Sequence, residues 1–185
     1  RIRFYEINPA VRPIAQNLFT YIRDSPATIT FTEGDARNSL AAEPPQHFDV
    51  LAVDAFSGDA IPLHLLTTQA LELYRRHLTP GGILAFHISN QYLDLAPQLA
   101  ALAHVAGMEA RLINTPPSEI NGEYRAEWVL ITANTAFLNH PAITGNATPI
   151  APRPSLRVWT DDYSSLLPIL RPAEPLTSPL FRTRP

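Results

Sequence analysis

The 185-residue sequence contains no cysteine and no lysine. Without cysteine it forms no disulfide and offers no thiolate to a metal ion, and cysteine usage gives no indication of the cellular compartment. Without lysine it has neither a Schiff-base lysine nor the phosphate-binding lysine of a P-loop. All 14 basic residues are therefore arginines.

Long apolar runs and an excess of positive charge are also absent. No apolar run approaches the ~18 residues that a membrane-spanning helix needs, and no signal peptide is visible. With a net charge of −3, the chain presents no basic face to nucleic acid or to an anionic membrane. We therefore expect a cytoplasmic protein without a nucleic-acid partner. The sequence begins at Arg1, without Met and inside a strand-like run, which suggests a fragment or a processed form.

What the sequence does contain is a regular alternation of strand and helix patterns. Short β-branched or apolar runs predict strands over 2–6, 27–31, 48–53, 83–89, 109–115 and 126–133. Apolar residues at helical spacing predict helices over 9–22, 36–42, 65–78 and 93–107. This order is typical of a mostly parallel α/β sheet. The last two strands have no helix between them, so we predict an antiparallel hairpin at one edge.

The composition changes after about residue 140, where prolines interrupt the chain. We therefore divide the chain into an α/β domain over 1–140 and a Pro-rich C-terminal extension over 141–185. The extension is expected to contain one short helix, over 162–170, followed by an irregular tail.

Polar side chains stand where the predicted strands end, which is where an open α/β sheet binds its ligands. These residues are Glu6, Asp35, Asp54 with Asp59, and His87 with Ser89 and Asn90. A carboxylate in the position of Glu6 typically accepts both hydroxyls of a ribose. Two alternatives stay open: Asp35 is equally suited to capping the short helix that follows it, and His87 to a place in the core.

Six stretches carry a resemblance to a known family: FYEINPAV, EGDA, FDVLAVDAFSGDAIPLHLLT, LTPGGILAFHISNQYLDL, EWVLITAN and WTDDYSSLL. In this order they resemble the spermidine synthase (polyamine aminopropyltransferase) family, and most closely its bacterial branch that is fused to membrane segments. The resemblance implies a class I methyltransferase-like (Rossmann-like) fold, with a nucleoside-binding and catalytic domain over 1–140. It also implies a membrane-fused parent protein, whose domain would face the cytoplasmic side of the inner membrane.

The activity that the resemblance implies is aminopropyl transfer from decarboxylated S-adenosylmethionine to a diamine such as putrescine. Methylthioadenosine is the product, and no metal takes part. The resemblance assigns Glu6 to the ribose hydroxyls and the pair Asp35 and Ala36 to the adenine. It assigns Asp54 as the catalytic aspartate.

Two further residues are candidates for binding the amine. Asp59 resembles the second acid of the catalytic loop, and His87 ends the next predicted strand. The chain departs from the family in two places. Asn8 stands where an aspartate is common, and the two loop acids, Asp54 and Asp59, are five positions apart, a longer spacing than usual.

Two acids at one strand end suit a cationic substrate. A primary amine has a pKa of about 10 and arrives protonated. One carboxylate can orient the cation and accept its proton, while a second holds the far end of the molecule. The simpler alternative is that Asp54 caps the loop and Asp59 is a solvated turn residue.

None of the seven glycines forms the G-x-G loop with which the family begins its nucleotide site. The strand that ends at Glu6 corresponds to the second strand of such folds. We therefore expect a sheet that lacks the first strand, the glycine-rich loop and the first helix, with a gap between the strands that end at Glu6 and Asp54. Open strand edges favour association, so we expect a homo-oligomer.

Three functions stay open at this point. The chain is an aminopropyltransferase domain, active if the missing N-terminal part is present, or an S-adenosylmethionine-dependent methyltransferase of the same fold. The third possibility is a non-catalytic remnant that binds a nucleoside or a partner. An acid-lined pocket disfavours the carboxylate of the methyl donor, which favours the first function.

Overall fold

A computed structural model describes residues 1–55, 62–118, 120, 122 and 124–172. Strands and helices alternate through most of this part of the chain. Their bounds are β1 (Ile2–Glu6), α1 (Val11–Leu18), β2 (Ile29–Glu33), α2 (Ala36–Ala42), β3 (Phe48–Val53), α3 (Thr68–Arg76), β4 (Leu78–His87), α4 (Ala96–Val105), β5 (Glu109–Thr115), β6 (Ala126–Thr132), α5 (Thr135–Leu138), α6 (Pro141–Thr144) and β7 (Thr148–Pro149).

The described strands form two sheets. β1 and β2 pair in parallel, and the second sheet has the order β3-β4-β6-β5-β7. β3 and β4 are parallel, while β6 is antiparallel to both β4 and β5, so that β3, β4 and β5 run in the same direction. The predicted α/β fold with a C-terminal antiparallel hairpin is therefore confirmed. Of the two hairpin strands, β6 lies toward the centre of the sheet, next to β4. β7 pairs with part of the outer edge of β5.

The two sheets are separated where the sequence predicts a gap. Among the described residues, β1 pairs only with β2 and β3 pairs only with β4, so no ladder joins β1 to β3. No glycine-rich loop follows β1, which is followed instead by the turn into α1. The described part of the fold thus lacks the first strand and the glycine-rich loop of this class, as expected.

The core lies on the larger sheet, where α3 and α4 cover one face. α4 is buried along most of its length because eight of its ten residues are apolar or small, and Leu99 belongs to the same buried cluster as Leu84 and Ile131. The segment after residue 140 joins the same cluster through Trp159 and Ile169, both 0% exposed. The division at 140 thus stays a prediction, but the described part of the extension packs on the preceding unit.

The helix predicted over 162–170 is wrong in length. Only a single 3₁₀ turn, Leu167–Ile169, is present there. Pro168 lacks an N–H, so it suits the first turn of a helix but interrupts a longer one. The predicted irregular tail, 173–185, lies outside the described residues.

The sequence Thr79-Pro80-Gly81-Gly82, which precedes the strand predicted over 83–89, forms an irregularity inside β4. Leu78 pairs with Phe48 and Ile83 with Val50, so four residues of β4 face one residue of β3. Gly81 has a φ of 80°, which only glycine adopts without strain. The turn-forming residues therefore produce a bulge, and the strand continues to His87 at the carboxyl edge.

Candidate functional site

The carboxyl ends of β1 and β2 bring two predicted site residues to one edge. The parallel register pairs Glu6 with Glu33, and Gly34 N donates to Glu6 O at 2.9 Å. Asp35 follows Gly34 directly. The structure therefore confirms that Glu6 and Asp35 lie on neighbouring strand ends, although 29 positions separate them in the sequence.

Glu6 is held by the turn that leads into α1. Its Oε1 accepts from Asn8 N at 2.8 Å, and the Asn8 side chain in turn accepts from Ala10 N at 3.0 Å. Asn8, the departure from the family pattern, thus shapes this turn. Oε2 of Glu6 has no hydrogen-bond partner among the described residues, so half of this carboxylate remains able to accept.

Asp35 serves as the N-cap of α2, the alternative that the sequence left open. Its Oδ1 accepts from Asn38 N at 2.8 Å, and its Oδ2 lies 3.1 Å from Nε2 of His64. Burial raises the pKa of Asp35, but the hydrogen bonds from Asn38 N and His64 outweigh it and hold the pKa below its ordinary value. Ala36 follows Asp35 in the chain and is the first residue of α2.

Asp54 follows β3 directly and meets His87, the last residue of the neighbouring β4. Asp54 Oδ1 lies 2.7 Å from His87 Nδ1. Because an ionised carboxylate can only accept, we assign the bridging proton to Nδ1. Oδ2 of Asp54 has no hydrogen-bond partner among the residues described. The parallel pairing of β3 with β4 thus produces an acid–imidazole pair at the sheet edge.

Two further contacts fix the His87 ring. Its Nε2 lies 2.7 Å from Oγ of Ser89, which accepts from Glu127 N at 2.8 Å. The ring stacks on Trp128, with centroids 4.9 Å apart and planes inclined by 24°. With Nδ1 protonated, Nε2 accepts the hydroxyl proton of Ser89. The His87 ring therefore lies at the strand end, and its partners follow β3, lie in β6 and follow β4.

A pocket of about 250 Å³ opens beside Ser89. It is lined by Ser89, Asn90, Gln91, Arg125 and Glu127. The carboxylate of Glu127 is buried and accepts from Arg125 Nη2 and Arg171 Nη2, both at 2.6 Å. The wall formed by Glu127 is thus polar, and two guanidinium groups neutralise the charge of its buried carboxylate.

Some of the site could not be anticipated from sequence. His64 and Trp128 were not singled out, because only the fold brings them to Asp35 and His87. A histidine two residues after Pro62, within the loop that leaves a strand end, was the signal available for His64. The register of β6 against β4, which places Trp128 opposite His87, has no signature in a single sequence.

Asp59 lies in the segment 56–61, outside the described residues, so its expected role in amine binding remains a prediction. Within the ranges that the structure describes, no group of three or more His, Asp or Glu side chains gathers where it could hold a metal ion. No helix in those ranges is long and apolar enough to cross a membrane.

Comparison with known proteins gives similarity in both sequence and fold. No model of a protein family matches the chain. A probable polyamine aminopropyl transferase of Bifidobacterium longum is 33% identical over 84 residues, which are 45% of this chain and 18% of that protein. A polyamine aminopropyltransferase of Vibrio vulnificus is 38% identical over 81 residues, which are 43% of this chain and 26% of that protein. The matched stretches thus span about a fifth to a quarter of these curated relatives.

The fold of the chain is similar to that of a probable spermidine synthase from Corynebacterium glutamicum. The TM-score is 0.63 at 20% sequence identity, and the superposition covers 89% of this chain and 64% of that chain. At this level of identity the likeness establishes the Rossmann-like fold of the class.

Proposed function

We propose, on the premise that the chain belongs to the polyamine aminopropyltransferase (spermidine synthase) family, that the protein carrying it transfers an aminopropyl group from decarboxylated S-adenosylmethionine to a small amine such as putrescine. The observation that carries this proposal is the pairing of Asp54 with His87 at the sheet edge, 2.7 Å apart. In the other sheet, the strand ends of β1 and β2 present the carboxylates of Glu6 and Asp35. Acids at the strand ends of both sheets suit two cationic substrates.

In this reaction Asp54 accepts a proton from the ammonium group of the acceptor. His87 engages Oδ1, so Oδ2 is the oxygen that faces the amine and takes its proton. The released nitrogen lone pair forms a bond to the carbon next to the sulfonium, and the electrons of the breaking carbon–sulfur bond stay on sulfur. Such an in-line displacement depends mainly on positioning. The stacked and hydrogen-bonded His87 supplies this by fixing the carboxylate.

The donor side of the site is assigned to Glu6, Asp35 and Ala36. Glu6 retains one carboxylate oxygen that can accept a ribose hydroxyl, and Asp35 and Ala36 form the turn that begins α2. The donor carries a sulfonium and an ammonium group, which acidic surroundings favour. The methyl donor carries a carboxylate in addition, which the same acids repel. This difference favours aminopropyl transfer over methyl transfer.

Calorimetry with two product nucleosides tests this assignment. We expect the protein to bind methylthioadenosine more tightly than S-adenosylhomocysteine, because only the latter brings a carboxylate to the acidic edge. Tighter binding of S-adenosylhomocysteine would instead identify a methyltransferase, and binding of neither would contradict a nucleoside site.

We further propose that the chain associates with copies of itself. The observation in support is that β1 and β3 each leave one edge unpaired among the described residues, and such edges readily pair with another chain.

A further inference from the structure

Three distant segments of the chain meet beside the donor side of the site. Arg37, in the first turn of α2, donates through Nη1 and Nη2 to Oδ1 and Oδ2 of Asp161 at 2.8 and 2.6 Å. Thr67, the N-cap of α3, donates through Oγ1 to Asp161 Oδ1 at 2.7 Å. We call Arg37, Thr67 and Asp161 the clamp. It joins α2, the start of α3 and the C-terminal segment.

The geometry of the clamp makes it stronger than an ordinary surface ion pair. The two-pronged contact between a guanidinium and a carboxylate fixes orientation as well as distance. The Arg37 side chain is only 18% exposed. The hydrogen bond from Arg37 holds the pKa of Asp161 below its ordinary value, and the same bond raises the pKa of Arg37.

The C-terminal side of the clamp is anchored in the core. Trp159 is fully buried, and its carbonyl accepts from Thr68 N at 3.0 Å. Asp161 N donates to Gln69 Oε1 at 3.1 Å. The Asp161 side chain is 40% exposed, so the position of this residue is fixed through its backbone and through the buried Trp159 before it.

The clamp reaches the donor side of the site through His64. Arg37 Nη1 also donates to the His64 carbonyl at 2.7 Å, and the His64 ring meets Asp35 Oδ2 at 3.1 Å. The His64 side chain is half exposed, so packing alone does not hold its ring. The hydrogen bond from Arg37 holds the carbonyl of the residue whose imidazole meets Asp35.

We infer that Arg37 and Asp161 are positioning residues, which hold His64 against Asp35 and thereby shape the adenine end of the nucleoside site. This inference rests on the proposed function, and it adds the C-terminal segment and His64 to the parts that determine nucleoside affinity. Loss of the clamp removes the bond that holds the His64 carbonyl, in the 3₁₀ turn Leu63–Leu65. Asp35 then loses its second partner and is no longer fixed on the side that faces the nucleoside.

Titration of methylthioadenosine into the full chain tests the inference. We expect Asp161→Asn to weaken binding by about tenfold, within the coupling range of residues that share one hydrogen-bonded network. Arg37→Lys keeps the charge but loses the two-pronged contact, so it should weaken binding similarly. Because both changes break the same contact, the double variant should be little weaker than either single variant. The matched control is Asp162→Asn, an exposed neighbour outside the clamp, which should bind as the unmodified chain does.

The ring signal of His64 in NMR, assigned with His64→Gln, provides a readout that does not depend on the ligand. It should shift toward that of a solvent-exposed histidine in Asp161→Asn and stay in place in Asp162→Asn. Each variant is measured well below its own unfolding temperature, so loss of folded protein does not enter. Unchanged nucleoside affinity in Asp161→Asn and Arg37→Lys would overturn the inference that the clamp shapes the nucleoside site, and would leave the proposed function standing. No binding by the unmodified chain would overturn the proposed function, and the inference with it.

Discussion

The carboxylates at the strand ends differ in what engages them. Glu6 is bound on one oxygen by the backbone of Asn8, and Asp54 on one oxygen by His87. Asp35 is bound on both oxygens, by Asn38 N and His64. A carboxylate with both oxygens engaged is already oriented before a ligand arrives, whereas Glu6 and Asp54 each keep one oxygen for a ligand. These differences suit the proposed roles, in which Asp35 lies at the adenine while Glu6 and Asp54 contact the ribose and the amine.

The lowered pKa values of Asp35 and Asp161 make the folded chain sensitive to acid. Both carboxyls ordinarily titrate near 3.8. Because their pKa is lower when folded, the unfolded chain binds more protons at low pH, so their contribution is present above this value and is lost as pH falls below it, through the lower pKa of the folded state. We expect Asp161→Asn, which lacks one such group, to lose less stability between about pH 6 and about pH 3 than the unmodified chain.

Thermal unfolding across this pH range measures the effect, with Asp162→Asn as the control that removes an acid outside the clamp. If Asp161→Asn and the unmodified chain lost stability in parallel, the ion pair with Arg37 would not contribute to folding.

At the scale of elements, α1 exposes most of its apolar side chains. Its apolar residues recur at helical spacing, which predicted the helix, but within it only Ala15 is buried. Leu18 is 76% exposed, and Val50, on the strand β3 of the other sheet, is 55% exposed. Apolar side chains exposed beside unpaired strand edges favour contact with another chain.

Substitutions in α1 and α4 separate self-association from folding. Leu18→Gln should change the free energy of unfolding by no more than about 0.5 kcal/mol, because the side chain is already in water. It should nevertheless lower the fraction of associated protein in a sedimentation dilution series. Leu99→Ala is the contrast: it empties a fully buried position and should cost about 2–5 kcal/mol. A chain that sediments as a monomer at every concentration would contradict self-association.

The elements also show what periodicity can and cannot predict. Apolar patterns located β1, β3 and α4 well, because local sequence determines these elements. The order of the strands depends on long-range pairing, so the position of β6 between β4 and β5 could not be read from spacing. The same holds for His64 at Asp35, a contact made across 29 positions. The strand-end acids themselves were predictable, since the ends of apolar runs mark the sheet edge.

At the scale of the whole molecule, the C-terminal segment contacts both the core of the larger sheet and the helix that follows the smaller sheet. Trp159 and Ile169 bury it in the core of the larger sheet, and Asp161 binds Arg37 beside the smaller one. Composition favoured a separate extension after residue 140, because prolines interrupt the secondary structure there. They do not prevent irregular backbone from packing, and burial of single large side chains is enough to fix it. The proposed site thus draws on residues from distant parts of the chain.

The central claim is that Asp54 deprotonates and orients the acceptor amine, and steady-state transfer measures it most directly. The full protein is supplied with decarboxylated S-adenosylmethionine and varied putrescine, and release of methylthioadenosine is followed. We expect transfer by the unmodified protein and a fall of about 10²-fold or more in Asp54→Asn, as for loss of a general base, with methylthioadenosine affinity unchanged. Asp49→Asn, an exposed acid in the same strand, is the matched control and should be near normal. Near-normal transfer by Asp54→Asn would contradict the account.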